Sequence, residues 1–225
     1  MKNKCVPLEE KFFEMKLLKT DKKQSVVEEK WNYLTHATGA VLAIFAIVLM
    51  LLKSNSAKEY WSSIIYGFSL LFTMLASAMY HFEKRVEIKS KLRILDHSGI
   101  FLLIAGTYTP LAILVLGSDN LFLLIIEWSI AIIGVILKIF FTGRYQKTSL
   151  LIYLGMGWII VFDINKLIDL LPFEGLMYIV YGGLAYTVGT IFYAVKKLKF
   201  SHVIWHFFVL VGAMCHFLFV YYYAL

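Results

Sequence analysis

The chain has 225 residues, 60% hydrophobic and 16% charged, with a mean hydropathy of +0.74 and a formal net charge of +7. A soluble domain carries about 45–50% apolar residues, so this composition excludes an ordinary soluble fold and leaves a polytopic membrane protein. The positive balance would suit nucleic acid or anionic lipid, but most Lys and Arg flank apolar runs, where they set topology, and no nucleic-acid partner is expected.

Residues 1–33 hold eight lysines and six acids among a few apolar side chains such as Phe12, Phe13, Leu17 and Leu18. They read as a cytoplasmic N-terminal tail or a short interfacial helix, ahead of a transmembrane domain over residues 34–225. No signal peptide precedes the first apolar run, so that run serves as its own insertion signal. Cys5 in the tail and Cys215 inside a span lie at different depths, which argues against a disulfide between them.

Seven apolar runs follow. They cover about Leu34–Leu52, Trp61–Tyr80, Asp96–Gly117, Leu121–Phe141, Leu150–Ile164, Leu176–Val195 and Val203–Leu225. The fifth is the shortest. Only Ser118, Asp119 and Asn120 join the third to the fourth, a turn tight enough to force an antiparallel pair. The glycine pairs 155/157 and 182/183 suit close helix packing. The fold class is therefore all-α, a seven-transmembrane helix bundle.

Counting basic residues orients it. With the N-terminus inside, the inner segments hold the eight tail lysines plus Lys84, Arg85, Lys89, Lys91, Arg93, Arg144, Lys147, Lys196, Lys197 and Lys199, making 18. The outer segments hold only Lys53, Lys58 and Lys166. The N-terminus is expected in the cytoplasm and the C-terminus outside. Lys138, near the inner end of the fourth span, is long enough to snorkel to the headgroups. Glu127 and Asp163 fall toward the outer half, as packing partners or part of a polar cavity.

All six histidines lie in or at the edge of a span, where an ionisable group needs a partner or a function. His36 opens the first span, His81 closes the second, Asp96 and His97 open the third, and His202 and His206 open the seventh. In the inward orientation all of those ends are cytoplasmic. His202 and His206 are i, i+4 and share a helical face, as do Ser77 and His81. Two helices thus supply three imidazoles, His81, His202 and His206, and leave a fourth tetrahedral position for water, the arrangement of catalytic zinc. Asp96 is the candidate general base or orienting carboxylate, and Ser77 the candidate hydrogen-bond donor to water or a substrate carbonyl. His97 points about 100° away from Asp96 on its helix and stays outside the ligand set. His36 reads equally as a supporting residue or as a helix-start group. His216, about 15 Å beyond His206, reads as a buried, hydrogen-bonded histidine.

Several stretches occur together and in order: Glu28-Glu29 with Asn32 and Thr35-His36, Ser77-Ala-Met-Tyr-His81, and Leu95-Asp96-His97-Ser98-Gly99-Ile100. Gly106-Thr-Tyr-Thr-Pro110, Met156-Gly-Trp158 and Ser201-His202-Val-Ile-Trp-His206 with His216-Phe217 complete the set. Over residues 28–225 the chain resembles the hemolysin III branch of the progestin and adipoQ receptor family. That resemblance implies seven helices, a cytoplasmic N-terminus and a zinc ion on His81, His202 and His206, with Asp96 and Ser77 at the family's Asp and Ser positions. The metal motif is also similar to that of the alkaline ceramidases, which implies hydrolysis of lipid amides.

The leading functional reading is an integral membrane zinc protein of the plasma membrane, hydrolysing lipid amide or ester bonds. Its expected partners are membrane lipids, with a lipid or fatty-acid ligand in an intramembrane cavity. Two alternatives stand beside it. One is a receptor or regulator of membrane lipid homeostasis with structural zinc; the other is a hemolysin-like pore-forming cytolysin, which the scarcity of aligned polar residues along the spans disfavours.

Overall fold

The computed structural model describes residues 24–117, 121–195 and 198–225. The Ser118–Asn120 turn and the tail up to residue 23 lie outside the described residues. Seven helices are long and apolar enough to cross a membrane: α1 Val26–Lys53, α2 Ala57–Phe82, α3 Val86–Leu116, α4 Leu121–Phe141, α5 Gln146–Leu170, α6 Phe173–Ala194 and α7 Ser201–Ala224. α1 packs on α2, α2 on α3, α3 on α4 and α6 on α7, while α1 and α7 close the bundle.

Most of the helices begin earlier than hydropathy suggests, and two of them, α1 and α3, by the widest margin. α1 starts at Val26, with Ser25 as N-cap and a capping box completed by Glu28. His36 is therefore ten residues inside the helix and has no helix-start role. α3 starts at Val86, so Asp96 lies about 15 Å along it rather than at its mouth. Glu87, Lys89, Lys91 and Arg93 form its first turns, where good helix propensity carries a segment too charged to register as a span. Pro110 ends the α-helical part of α3, and the helix continues as a π-helical stretch, Leu111–Leu116.

α5 also exceeds its expected length, and it is irregular. A 3-10 segment, Ile159–Asp163, interrupts it. The Tyr108 hydroxyl of α3 braces that break, lying 2.8 Å from the Met156 carbonyl oxygen and accepting from the Ile160 N–H at 3.2 Å.

The burial pattern inverts that of a soluble protein. α4 turns Phe122, Ile125, Ile132, Ile133 and Phe140 outward, while Glu127 and Lys138 are buried. Lys138 does not snorkel: its Nζ donates to Ser149 Oγ on α5 at 2.7 Å, a partner near enough in the bundle to spare it the reach to the headgroups. α2 buries a polar stripe, Ser62, Ser69, Thr73, Ser77 and His81, at helical spacing. These small side chains let α3 come close, and Thr73 Oγ1 donates to the Gly99 carbonyl at 2.8 Å.

Glycine supports that approach at particular positions only. A Cβ on Gly106 would sit 2.0 Å from Ser69 Oγ, and one on Gly182 would sit 1.9 Å from the His216 ring. A Cβ on Gly155 or Gly157 would meet nothing within 4 Å, so that pair has no close-packing role, because no neighbouring side chain stands opposite their α-carbons. Gly106→Ala is expected to lower stability in detergent by about 1–3 kcal/mol through overpacking against α2. Gly155→Ala should be neutral or slightly stabilising. Thermal melts of the two variants check the contrast.

Candidate metal centre

The site forms where α1, α2, α3 and α7 converge. His81 is the second-last residue of α2, and His202 and His206 occupy the first two turns of α7. One nitrogen from each of the three lies within 4.8 Å of the others, a group able to hold a metal ion. His206 is almost wholly buried and His81 nearly so.

The rings are oriented from behind. His81 Nδ1 lies 2.7 Å from Glu29 Oε2, and its Nε2 is buried with no hydrogen-bond partner. A carboxylate behind one ring nitrogen fixes the proton there and presents the other as a lone pair, the usual support for a metal-binding histidine. Glu29 is itself held by Lys89 Nζ at 3.0 Å. His206 Nδ1 lies 3.2 Å from both the Asn32 carbonyl oxygen and Thr35 Oγ1. A proton on that nitrogen is donated to α1, leaving Nε2 for the centre. The orphaned buried nitrogen of His81 and the two backed rings fit a metal.

His36 stacks face to face on His206, ring centroids 3.6 Å apart and 6° from parallel, with both its nitrogens buried and unpartnered. It belongs to the wall of the site. Ser77, one turn deeper than His81, is buried with an unpartnered Oγ. His97 stays outside the metal group; its Nε2 is 4.0 Å from Asp96 Oδ2. His216 likewise lies apart, the edge of its ring set against Gly182 of α6.

Two cavities meet here. The larger, with about 1080 Å³ of space between atoms, is mainly apolar and runs from His36, Ser77, His202 and His206 down to His216. The smaller, about 690 Å³, is more polar and is lined by Gln24, Glu28, Glu29 and Gln146 among others. Asp96, His97, Tyr193 and His202 line both. Asp96, His97 and His202 thus stand at the boundary between a polar chamber and an apolar one.

Residues 24–217 match the model of the family described as haemolysin-III related. The chain belongs to that family. It is 41% identical to Hemolysin-3 of Bacillus cereus over 206 residues, covering 90% of this chain and 94% of that protein. It is 39% identical to the Hemolysin-3 homolog of Bacillus subtilis (strain 168) over 204 residues, 89% and 96% of the two chains. The human Monocyte to macrophage differentiation factor is 29% identical over 207 residues, 87% of this chain and 84% of that one. Family and fold together make this a multi-pass membrane protein of the haemolysin III type.

Spacing and depth alone single out the three histidines that the structure gathers. Glu29 has no role in that reading, because residues up to 33 count as tail; its only signal is the Glu28-Glu29-Asn32 stretch quoted for the resemblance. Glu29→Gln should keep the fold and weaken metal binding about 10- to 100-fold, measured by competition with a chelator of known affinity.

Proposed function

We propose that the protein is a zinc-dependent hydrolase of the plasma membrane that cleaves an amide or ester bond in a membrane lipid. The observation that carries the reading is the junction of polar and apolar cavities at Asp96 and His202, beside the other two histidines of the group. An amphipathic lipid lying across that junction would keep its headgroup among Glu28, Glu29 and Gln146 and its chain among the aliphatic and aromatic walls. The bond between head and chain would then lie near the three imidazoles.

Three imidazoles with a free fourth position are the donor set of catalytic zinc. A tetrahedral ion about 2.1 Å from each nitrogen separates them by about 3.4 Å, so small side-chain movements suffice from a group already within 4.8 Å. When bound, zinc would polarise the scissile carbonyl and acidify a water beside it. The chain's own groups supply the rest. Glu29 holds the His81 ring in register. Asp96, on the rim of both cavities, takes the proton from the attacking water and returns it to the leaving amine or alcohol. Ser77 Oγ, with no protein partner, donates to the carbonyl oxygen. The excess of basic residues at the histidine end, 18 against three, supports a cytoplasmic N-terminus, an outer C-terminus and a polar chamber facing the cytoplasm.

Two other readings have support of their own. A regulator of membrane lipids with structural zinc would use the same cavity without turnover. A cytolytic role follows the name of the Bacillus cereus relative, Hemolysin-3.

Protein purified without chelator is expected to carry about one zinc per chain by elemental mass spectrometry, lost in His202→Ala/His206→Ala. In liposomes it should release fatty acid from a ceramide or a phospholipid. Asp96→Asn should keep the zinc and lose about 100-fold or more in kcat. Full zinc content with no cleavage of either lipid would defeat the hydrolase and leave the regulator. Lysis of red cells by the zinc-free double mutant as well as the wild type would favour the cytolysin.

A further inference from the structure

Two hydroxyl side chains of the cavity wall are spent on the backbone of α3. Tyr153 Oη of α5 donates to the His97 carbonyl at 2.9 Å, and Thr73 Oγ1 of α2 donates to the Gly99 carbonyl at 2.8 Å. At about 100° per residue, His97 and Gly99 lie about 200° apart around the helix, so the two bonds grip it from nearly opposite faces. Asp96 falls on the narrower arc between them, about 100° from His97 and about 60° from Gly99. Tyr153, Thr73 and Asp96 all line the larger cavity, in keeping with that placement.

Packing backs the two grips unequally. Thr73 sits where α2 and α3 are in close contact: a Cβ on Gly99 would come within 3.1 Å of the Thr73 α-carbon. That face of α3 is held by α2 even without the hydroxyl. α5 packs only lightly on α3 and reaches it here through Tyr153. The Tyr153 ring is itself fixed. It meets Phe101 of α3 edge to face, centroids 4.5 Å apart and 64° between planes. Phe101 in turn fills a notch at Gly134 of α4, where a Cβ would come within 2.4 Å of its ring. Lys138 Nζ stands 5.9 Å from the centroid of the Tyr153 ring. A ring held on these sides aims its hydroxyl at one carbonyl.

We infer that Tyr153 is a positioning residue, which sets the rotation of α3 and through it the place of the Asp96 carboxylate. The inference rests on the hydrolase reading, in which Asp96 moves the proton, and adds a residue to which that reading gives no role. Side chains reach about 5–6 Å from a helix axis, so a turn of α3 by about 10° carries the carboxylate about 1 Å. A displacement of that size at a reacting group costs up to about 100-fold in rate. Close packing on α2 resists part of the turn, so removing the one hydroxyl costs less than that.

The test is Tyr153→Phe, which removes the hydroxyl and keeps the ring against Phe101, in full-length, zinc-loaded protein reconstituted in phosphatidylcholine liposomes containing ceramide. For fatty-acid release, kcat per bound zinc should fall about 10-fold with little change in KM. In an Asp96→Asn background the same substitution should cost less than about two-fold, because the group it serves is gone. Amide exchange over residues 96–101, read by mass spectrometry, should quicken in Tyr153→Phe. An equal loss in both backgrounds marks a general structural effect and overturns the positioning role while the hydrolase stands. An unchanged kcat does the same, as does exchange that stays as slow as in wild type. No cleavage of either lipid by wild type overturns both.

Discussion

Two adjacent glutamates on the first turns of α1 tie four parts of the bundle together. Glu29 binds His81 at the end of α2 and Lys89 on the first turns of α3. Glu28 closes the capping box with Ser25, and its Oε1 accepts the Phe200 N–H at 2.8 Å, immediately before α7. The second, third and seventh helices are thus fastened to the first at one end, which is the end where the histidines are. Phe200 needs that fastening. It adopts a left-handed backbone, φ 58°, uncommon for a bulky residue, and the bond from Glu28 holds the chain there so that α7 starts with His202 and His206 turned inward.

This arrangement explains which features are legible in the sequence. Helix number and the histidine group follow from two periodicities that physics makes strict: spans need about 20 apolar residues, and i, i+4 side chains share a face. Combined with the basic-residue count, they set His81, His202, His206 and Asp96 at one depth with no coordinates at all. Helix starts are another matter. Hydropathy reads Glu28, Glu29, Lys89 and Arg93 as loop because it registers charge and not the partner that neutralises it. The same blindness makes Lys138 look like a snorkelling residue, since its bond to Ser149 crosses from α4 to α5. Gly155 and Gly182 look alike in the chain and differ only in whether a ring stands opposite them.

The polar groups in the interior are not spread evenly. α2 devotes a whole face to Ser, Thr and His, α3 contributes Asp96 and His97, and α7 contributes three histidines. The apolar walls of the larger cavity come from α5 and α6, with Ile100, Leu103 and Ile104 of α3 and Trp205 and Val209 of α7. Asp96, His97, His202 and His206 thus share one chamber with extensive apolar walls, which suits a ligand whose polar and apolar parts must be held in different surroundings. Low dielectric on the apolar side strengthens every charge interaction at the histidine end.

One helix of those apolar walls, α5, is also the least constrained. α5 packs only lightly on α3, α4 and α6, is broken by its 3-10 segment, and leaves open space beside Gly155 and Gly157. Its anchors are few and specific: Tyr153 Oη donates to the His97 carbonyl at 2.9 Å, Tyr108 braces the break, and Trp158 Nε1 donates to Thr187 Oγ1 at 3.0 Å. Leu150, Tyr153, Leu154 and Trp158 of this helix all line the larger cavity. A wall with little apolar burial and a few hydrogen bonds opens at lower cost than the tightly packed α1–α2–α3 side. Fastening one side with Glu28 and Glu29 and leaving the other lightly held gives a rigid histidine group, able to hold a metal ion, and a yielding wall in the same bundle.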